Sequence, residues 1–482
     1  MSEPACWELD WSEVAVLDRN AISLGLNEWD LMNSAADQLV KEISNFSTST
    51  DVLFLCGPGN NGGDGFVAAK KLLKIGWNVG IISSHNNSKT TISCRARDEV
   101  RDKVEICIWP EVPDFEYPLI IDCLLGSGSS GYGETLRSPL DEIVIWAKSK
   151  TSNIIACDIP TGLGGPSALT ANKTVTFHSI KKYLHSKDAG EVIISPLAWT
   201  REVEDCGIGD IMRYPKIRKN AKKGDRGRLL VIGGGPYHGA PILAGMAAAR
   251  SGCDLVTIAM PSKAMNRVSW PNSLIPLELP DLDILSPQSF DKIITYIKSN
   301  KIDSIVIGPG LGNDDLTKQV TLDILIHSSQ NKIPTVVDAD AISAMPTKSW
   351  IGGLIGVATP HKKEASNWLK DMTPKKALSR TEGEEAVIVV TGSVDELTGS
   401  QGRYCFARGG NPRMSVGGTG DLLAGIIGGL MAQGMNPWPS ARLACSVLRE
   451  AGSKESKNSG PGMIADDVVP QIAKTISEWM VR

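Results

Sequence analysis

The sequence predicts an α/β protein with two domains, each built around a mostly parallel β-sheet. Its 482 residues exceed what a single hydrophobic core usually holds together. In both halves, short apolar runs typical of buried parallel strands alternate with stretches of helical periodicity. Many of these runs end in glycines or carboxylates, and open α/β sheets bind ligands at the carboxyl ends of their strands. We therefore expect a ligand site in each half.

Composition and charge narrow the function classes. Hydrophobic residues make up 42% and charged residues 22% of the chain, as in a folded globular protein. The net charge of −4 gives no basic footprint for nucleic acid, and no apolar run is long enough to cross a membrane. The acidic first residues do not read as a signal peptide. We expect a cytoplasmic homo-oligomer that acts on small molecules.

The ten cysteines are scattered and form no C-x-x-C pair. Cys56, Cys123 and Cys157 each close an apolar, strand-like run, which is typical of reduced, buried thiols. The sequence therefore predicts neither a disulfide framework nor a zinc site.

The first half opens with a helical pattern over residues 14–43, interrupted near Gly25. A buried strand follows at residues 52–56, and a new helix is predicted from Phe66 onward. Between them lies the sequence Gly-Pro-Gly-Asn-Asn-Gly-Gly-Asp-Gly, residues 57–65. This loop is not a Walker loop, because no Gly-Lys-Ser/Thr follows it. The alternative, a merely tight turn, would not need two asparagines and an aspartate, so we interpret the loop as ligand-binding.

More strands are predicted at residues 79–82, 104–108, 119–121 and 154–156. Two of them run directly into carboxylates, Asp122 and Asp158. These could be helix caps or hydrogen-bond partners, but their equivalent positions at strand ends favour a functional role. Asp158 is our candidate for catalytic proton transfer, since a carboxylate in a crevice is the kind of group whose pKa is tuned.

These three loops together resemble the NAD(P)H-hydrate epimerase family, over roughly residues 1–209. The resemblance implies a Rossmann-like three-layer sandwich that interconverts the R and S epimers of hydrated nicotinamide dinucleotides. It implies potassium bound by Asn61, Asp122 and Thr161. Ser129 to Tyr132 lack the arginine expected there. The implied substrate contacts are Asn60, Asn61, Gly62, Gly63, Asp64, Gly126, Ser127, Gly128, Ser129, Ser130, Gly131, Tyr132 and Asp158.

A basic stretch joins the two halves. Six lysines and arginines fall between Gly209 and Gly224, with few apolar residues. A nucleic-acid patch would interleave aromatics with these charges, so we interpret the stretch as a linker. The predicted domains are residues 1–209 and 210–482.

The second half starts a new α/β series. A helix is predicted at residues 241–251, and each predicted strand leads into a glycine or polar loop. The strands are at residues 229–232, 255–259, 305–307, 335–337, a short run ending at 358, and 386–390.

The series closes on Ser-Val-Gly-Gly-Thr-Gly-Asp, residues 415–421, which runs straight into an apolar helical segment. Backbone N–H groups of such a loop can converge on an anion, and the helix dipole adds positive potential. Asp421 at the join is either a helix cap or a catalytic base. The residues of this stretch alone leave both alternatives open.

Four motifs of the second half resemble, in order, the NAD(P)H-hydrate dehydratase branch of the ribokinase superfamily. They are Gly-Pro-Gly-Leu-Gly, Val-Val-Asp-Ala-Asp-Ala, Thr-Pro-His-x-x-Glu and Gly-Gly-Thr-Gly-Asp. The resemblance implies a ribokinase-like α/β sheet over residues 210–482. Thr391 stands where a lysine is usual. The implied hydrate contacts are Ala240, Gly310, His361 and Asp421, and the implied nucleotide contacts are Thr391, Gly392, Ser393, Val394, Asp395 and Gly420.

The resemblance implies a dehydratase that phosphorylates the ring hydroxyl after Asp421 takes its proton, and then expels phosphate. Backbone N–H groups of residues 416–420 would hold the developing charge. ADP or ATP is the co-substrate, with ADP favoured by the fused architecture and AMP as its product. Magnesium is expected with the nucleotide, near Glu364 or Asp338.

The leading hypothesis is therefore a repair enzyme for NADHX and NADPHX: epimerisation first, then nucleotide-dependent dehydration of the S form to NAD(P)H. One alternative is a vitamin-type kinase, similar to hydroxyethylthiazole kinase, with an accessory N-terminal domain. Another is a nucleotide-binding or scaffolding protein whose first half only senses a ligand. The absence of basic-aromatic motifs counts against the latter.

Overall fold

The computed structural model describes residues 7–114, 117–128, 132–379, 381 and 385–481. The chain divides into two compact units, Met1–Val203 and Glu204–Arg482. Within the described residues, no helix is both long enough and apolar enough to cross a membrane.

The first unit alternates helices and strands along the chain. Its elements are α1 (Trp11–Ser23), α2 (Glu28–Phe46), β1 (Asp51–Cys56), α3 (Asn60–Lys74), β2 (Asn78–Ser83), α4 (Thr91–Arg101), β3 (Ile106–Ile108), β4 (Ile120–Cys123), α5 (Leu140–Lys150), β5 (Ile154–Cys157), β6 (Lys173–Phe177) and β7 (Glu191–Ser195).

The strands form a seven-stranded parallel sheet in the order β3-β2-β1-β4-β5-β6-β7. Successive side chains point to opposite faces, so Val52 and Phe54 join the core under α1–α4. Leu53 and Leu55 join the core under α5. The predicted three-layer α/β/α architecture is confirmed.

Two features of this unit differ from the sequence prediction. The helix expected from Phe66 already begins at Asn60, because the glycines of its first turns let α3 lie directly on the sheet. A Cβ at Gly65, for example, would press on the thiols of Cys56 and Cys123. The sequence analysis also missed β6 and β7, which extend the sheet beyond β5. The break near Gly25 is confirmed: the residue has a φ of 87° between α1 and α2.

The second unit is larger. Its elements are β8 (Arg228–Ile232), α6 (Gly239–Arg250), β9 (Leu255–Pro261), α7 (Ser262–Met265), β10 (Leu274–Leu279), α8 (Pro287–Asn300), β11 (Ser304–Ile307), α9 (Asp315–Gln330), β12 (Thr335–Val337), β13 (Gly356–Ala358), α10 (Lys362–Leu369), α11 (Pro374–Leu378), β14 (Ala386–Val390), β15 (Asp395–Gly399), β16 (Tyr404–Ala407), α12 (Thr419–Ala432), α13 (Pro437–Ser459) and α14 (Ala465–Val481).

Its nine-stranded sheet has the order β10-β9-β8-β11-β12-β13-β14-β15-β16. The strands from β10 to β14 are parallel, whereas β15 and β16 add antiparallel strands at one edge. Helices α6, α12, α13 and α14 cover one face and α8–α11 the other. The predicted parallel sheet is therefore extended by β10 at one edge and by the antiparallel β15 and β16 at the other, none of which the sequence analysis predicted.

The division between the units falls six residues before the boundary predicted from sequence. Arg442 of α13 donates hydrogen bonds to the carbonyl oxygens of Glu204 and Asp205 and to the Asp210 carboxylate. Asp210 is fully buried, and these contacts attach residues 204–210 to the second unit.

Candidate active sites

Three loops meet at the carboxyl ends of β1, β4 and β5, which are neighbours in the first sheet. Gly57 N donates to the Cys123 carbonyl oxygen at 3.0 Å, and a Cβ at Gly57 would overlap the carbonyl oxygen of Leu124. A Cβ at Gly126 would lie 3.2 Å from Asn61 and 3.1 Å from the Asp158 carboxylate. The structure therefore brings the three predicted loops together, and glycines allow their close approach.

Asp122 and Thr161 form one hydrogen-bonded group. The fully buried Asp122 carboxylate accepts from Thr161 N at 2.7 Å, from Thr161 Oγ1 at 2.8 Å and from Leu124 N at 3.1 Å. Burial raises the pKa of Asp122 to about 6, and the hydrogen bonds from Thr161 oppose this rise.

The surroundings of Asp122 and Thr161 fit a hard cation. Asn61 Nδ2 is buried and has no hydrogen-bond partner among the described residues. Because the amide oxygen and nitrogen of asparagine exchange places on a flip, this orphaned position can present an oxygen. A carboxylate, a hydroxyl and an amide oxygen are ligands that hard cations prefer.

Asp158 is buried and held from several sides. Its Oδ2 accepts from Ser127 N at 2.8 Å and from Ser127 Oγ at 2.6 Å, while Lys181 Nζ lies 3.0 Å from Oδ1. Burial pushes the pKa of Asp158 up, but the Lys181 charge and the Ser127 hydrogen bonds outweigh it and hold the pKa below its ordinary value. Asp158 is therefore an anion, which suits a proton acceptor. The residue also has a φ of 66°, uncommon for a side chain other than glycine.

Asp64 is close enough to Asp158 for their charges to interact, and its pKa shifts in the opposite direction. It is partly buried in the first turns of α3. Burial raises the pKa of Asp64 well above its ordinary value, and the negative charges of Asp158 and Asp18 add to the rise. Two carboxyl groups with pKa values pushed apart suit an acid and a base at one site.

Tyr132 packs against Gly164, in the loop that follows β5. Its ring stacks on Tyr183 with 4.0 Å between ring centroids, and both rings are partly exposed. Asn60 Oδ1 accepts from Thr90 Oγ1 at 2.6 Å, which links α3 to the start of α4. Three predicted contacts, Ser129, Ser130 and Gly131, lie outside the described residues.

The second unit assembles its loops in the same way. A Cβ at Gly308 would overlap the carbonyl oxygen of Asp338, and a Cβ at Gly310 would overlap that of Tyr237. Both glycines have positive φ values, 129° and 70°. The loop after β11 is therefore packed between the loop before α6, which leads to Ala240, and the loop after β12.

Asp421 occupies the third position of α12 and is not its N-cap. The N-cap is Gly418, with a φ of 96° and no side chain to satisfy the first N–H groups. Burial, and then the charge of Asp340, raises the pKa of Asp421 to about 6. The cap alternative is wrong, because Gly418, three residues before Asp421 and in the left-handed conformation, takes the N-cap position of α12. Gly420 is exposed beside Asp421.

Carboxylates gather opposite Asp421. Asp338 is 5% exposed and its Oδ1 accepts from Thr359 Oγ1 at 2.7 Å. Burial raises the pKa of Asp338 well above its ordinary value, with the charges of Asp421 and Glu364 adding to the rise. A cation nearby would relieve this repulsion. Within the described ranges, no three His, Cys, Asp or Glu side chains are placed to hold a metal by themselves. Carboxylates are oxygen ligands that magnesium prefers, and Asp338 and Glu364 would leave its other positions to water and phosphate oxygens.

His361 has a structural role that the sequence analysis did not predict. Its Nδ1 accepts from Lys363 N and Glu364 N at 3.1 and 3.2 Å, while its own N–H donates to Glu364 Oε2 at 2.9 Å. This is a capping box at the start of α10. The side chain is 55% exposed, its Nε2 lies 3.4 Å from Glu364 Oε1, and its backbone pairs with that of Thr391.

The predicted nucleotide segment is the turn between β14 and β15. Thr391 N donates to the Pro360 carbonyl oxygen at 3.0 Å, so the turn adjoins the His361 loop. Asp395 closes the turn by accepting from Gly392 N at 3.0 Å. Ser393 and Val394 form its tip.

Among the residues that sequence reasoning missed are two buried cations that contact predicted site residues, Lys181 and Arg449. Lys181 is 2% exposed whereas the adjacent Lys182 side chain is 44% exposed. The sequence shows two neighbouring lysines and nothing that separates them. Arg449 lies far along the chain from the turn that it contacts, so only the fold reveals it.

Comparison with known families agrees with the division into units. Residues 28–183 match the family described as YjeF-related protein N-terminus, and residues 229–474 match the family described as NAD(P)H-hydrate dehydratase. A bifunctional NAD(P)H-hydrate repair enzyme of Hyperthermus butylicus is 31% identical, covering 96% of this chain and 91% of its own length. The chain belongs to the bifunctional NAD(P)H-hydrate repair enzyme family. The family resemblance inferred from the motifs is thereby confirmed.

A second relative with the same name, a bifunctional NAD(P)H-hydrate repair enzyme, has the same identity. The relative from Pyrobaculum aerophilum is 31% identical, with 97% of each chain covered. Among solved structures, an ADP/ATP-dependent NAD(P)H-hydrate dehydratase from Bacillus subtilis, co-crystallized with ATP and Mg²⁺, covers 56% of this chain and 96% of its own. It is 20% identical, with a TM-score of 0.48.

Proposed function

We propose that the chain repairs hydrated NADH and NADPH in two steps, with the epimerase in the first unit and the dehydratase in the second. The epimerase would interconvert R- and S-NAD(P)HX, and the dehydratase would return S-NAD(P)HX to NAD(P)H. The observation that supports the proposal is the position of Asp421 in the first turn of α12, directly after the glycine loop, where its charge interacts with those of Asp338 and Asp340.

The epimerase step needs a proton acceptor and a proton donor near the ring carbon that bears the hydroxyl group. Asp158 supports the acceptor role, because Lys181 and Ser127 keep its carboxylate ionised. Asp64 supports the donor role, because its raised pKa keeps the carboxyl protonated nearer to neutral pH. The predicted contacts from Asn60 to Asp64 and from Gly126 to Tyr132 would hold the dinucleotide across this crevice.

Potassium is part of this proposal for the first unit. Asn61, Asp122 and Thr161 would hold the ion, which supplies fixed positive charge beside the substrate when bound. We expect the epimerase to be faster in potassium than in a reference assay in which sodium replaces potassium at the same ionic strength. A rate independent of potassium would remove the ion from the proposal and leave the epimerase assignment in place.

In the dehydratase step, Asp421 would take the proton of the ring hydroxyl. The hydroxyl oxygen then bonds to the terminal phosphorus of the nucleotide, and the bond from that phosphorus to the bridging oxygen breaks, releasing AMP if ADP is the donor. Phosphate next leaves the ring carbon with the C–O bonding electrons, and a proton leaves the neighbouring carbon to restore the double bond.

The loop before α12 supports the phosphoryl transfer. Gly418 leaves the first N–H groups of α12 without a side-chain cap, so they can face an anion. Magnesium, when bound, would neutralise phosphate charge, and Asp338 and Glu364 would hold it through water. Thr391 to Asp395 and Gly420 would contact the adenine nucleotide.

One assay tests the central proposal. Pure S-hydrate and R-hydrate are each incubated with ADP or ATP, and the absorbance of the reduced nicotinamide and the released phosphate are followed. We expect the S form to be converted directly and the R form only through epimerisation. A stable phosphorylated product with no recovery of absorbance would favour a vitamin-type kinase, and no turnover with either nucleotide would refute the dehydratase. Light scattering tests the proposed homo-oligomer, and cell fractionation the cytoplasmic location.

A further inference from the structure

Arg449 is a buried cation in α13, outside the set of predicted site residues. Its side chain is 10% exposed and reaches the turn between β14 and β15. On its other side lies Gly409, in the loop that follows β16 and leads to the glycine loop before α12. The guanidinium therefore stands between two loops that the proposed function assigns to nucleotide and phosphate.

All five N–H groups of the Arg449 guanidinium have acceptors within the chain. Nε donates to Asp395 Oδ2 at 2.8 Å, and Nη1 donates to the carbonyl oxygens of Ser393 at 2.9 Å and Gly409 at 2.8 Å. Nη2 donates to the carbonyl oxygen of Gly392 at 2.8 Å and lies 2.7 Å from Asp395 Oδ1. A guanidinium has five such donors, so none is left for a ligand. Arg449 can act on a bound nucleotide only through these loops.

The acceptors make the arrangement specific. Three of them are backbone carbonyl oxygens, and because a peptide is planar, fixing its oxygen also fixes the direction of the following N–H group. Asp395 meanwhile accepts from Gly392 N, so the turn is closed from both sides. Gly409 and Gly410 have φ values of 83° and 85°, a conformation with little steric restraint of its own for glycine. The hydrogen bond from Arg449 to Gly409 therefore restrains the backbone of the loop after β16, which its glycines alone would restrain little.

We propose that Arg449 is a positioning residue for the nucleotide co-substrate: it holds the 391–395 turn in place relative to the loop that leads into α12 and Asp421. The inference rests on the proposed function, in which this turn contacts the nucleotide. Lysine cannot replace arginine here, because an ammonium group has three donors and no planar fork to bridge a carboxylate and three carbonyl oxygens.

Arg442 provides a matched control on the same helix. It is 3% exposed, and its donors go to Asp210 and to the carbonyl oxygens of Glu204 and Asp205. None of these residues belongs to the predicted site. Arg449→Lys and Arg442→Lys thus remove comparable buried networks from one unit, with only the first beside the nucleotide turn.

The experiment uses the full-length enzyme and measures the Kd of ADP by calorimetry, KM and kcat for dehydration of the S-hydrate, and Tm. For Arg449→Lys we expect the Kd and KM of ADP to rise about tenfold, corresponding to about 1.4 kcal/mol, with a smaller change in kcat. For Arg442→Lys we expect a lower Tm and an ADP Kd within about twofold of wild type. Epimerase activity should persist in both variants.

An ADP Kd that stays unchanged in folded Arg449→Lys would overturn the inference, since a purely structural arginine would behave like Arg442. If Arg449→Lys does not fold, Arg449→Gln is measured in the same way and decides by the same criterion. Failure of the proposed function looks different: wild-type enzyme would show no turnover with ADP or ATP. The ADP Kd values of the two variants would still decide the role of Arg449.

Discussion

Lys181 Nζ lies 3.0 Å from Asp158 Oδ1, and both side chains are removed from solvent. The pair places one positive charge beside the carboxylate that the proposed epimerase uses as its base. Burial favours the protonated form of Asp158, and the Lys181 charge is the largest of the effects that oppose it, ahead of the hydrogen bonds from Ser127. Lys181 thus keeps the base ionised in an acidic crevice.

We expect Lys181→Met to lower the epimerase rate at neutral pH by about a hundredfold and to move the acidic limb of its pH profile upward, because losing a nearby cation raises the pKa of a carboxyl group. Lys182→Met is the matched control. Its side chain is 44% exposed and its ammonium lies 3.8 Å from Asp10. Equal epimerase profiles for the two variants would contradict the role of Lys181.

Asp421→Asn should abolish dehydration and leave epimerisation intact, because the two sites lie in separate units. The same change should raise the Tm of the second unit, since it removes a carboxylate whose ionisation burial opposes. The expected gain in the free energy of unfolding is roughly 2 kcal/mol. Calorimetry and separate assays of the two reactions test this. Loss of both activities would count against two independent sites.

The pH dependence of dehydration follows from the sign of one shift. The pKa of Asp421 is raised to about 6, so the group binds its proton more tightly in the folded chain than in the unfolded one. As a base it must be ionised, and kcat/KM should therefore fall as pH drops through about 6. Protonated Asp421 therefore stabilises the folded chain at low pH, and this contribution to the free energy of unfolding is lost as pH rises through about 6. A flat profile of kcat/KM across this range would remove Asp421 as the base.

Gly425 allows α12, the helix that carries Asp421, to pack closely against α6. A Cβ at this position of α12 would overlap the carbonyl oxygen of Ala244 in α6. Gly425→Ala should therefore push the two helices apart and destabilise the second unit by about 1–3 kcal/mol, with dehydration lost first. Gly462→Ala is the control, because nothing lies within 4 Å of a Cβ there. A wild-type Tm and full dehydratase activity in Gly425→Ala would show that the helix contact is not needed.

Much of both sites follows from the sequence, because strand-end loops in a parallel sheet must meet at one edge. Gly57, Asp122 and Asp158 lie where the alternation of strands and helices predicted them. The strand positions themselves were found wherever an apolar run was short and continuous. β6 and β7 were missed because Lys173 and Glu191 begin strands whose residues mix polar and apolar side chains.

The roles of individual charged residues were harder to predict from the sequence. His361 turned out to cap α10, and Asp421 turned out not to cap α12, because caps depend on where the backbone enters each helix. A glycine with a positive φ at Gly418 starts α12 before Asp421 is reached.

The sequence alone determines the α/β fold class, the loops that carry the predicted site residues and the family of the chain, since these depend on local pattern and on motifs read along the chain. Which lysine is buried beside Asp158, and which arginine holds the 391–395 turn, were decided only by the tertiary structure. The physical reason is that the charge and hydrogen bonds of Lys181 and Arg449 act on groups distant in sequence, and such partners exist only once the sheet and its covering helices have assembled.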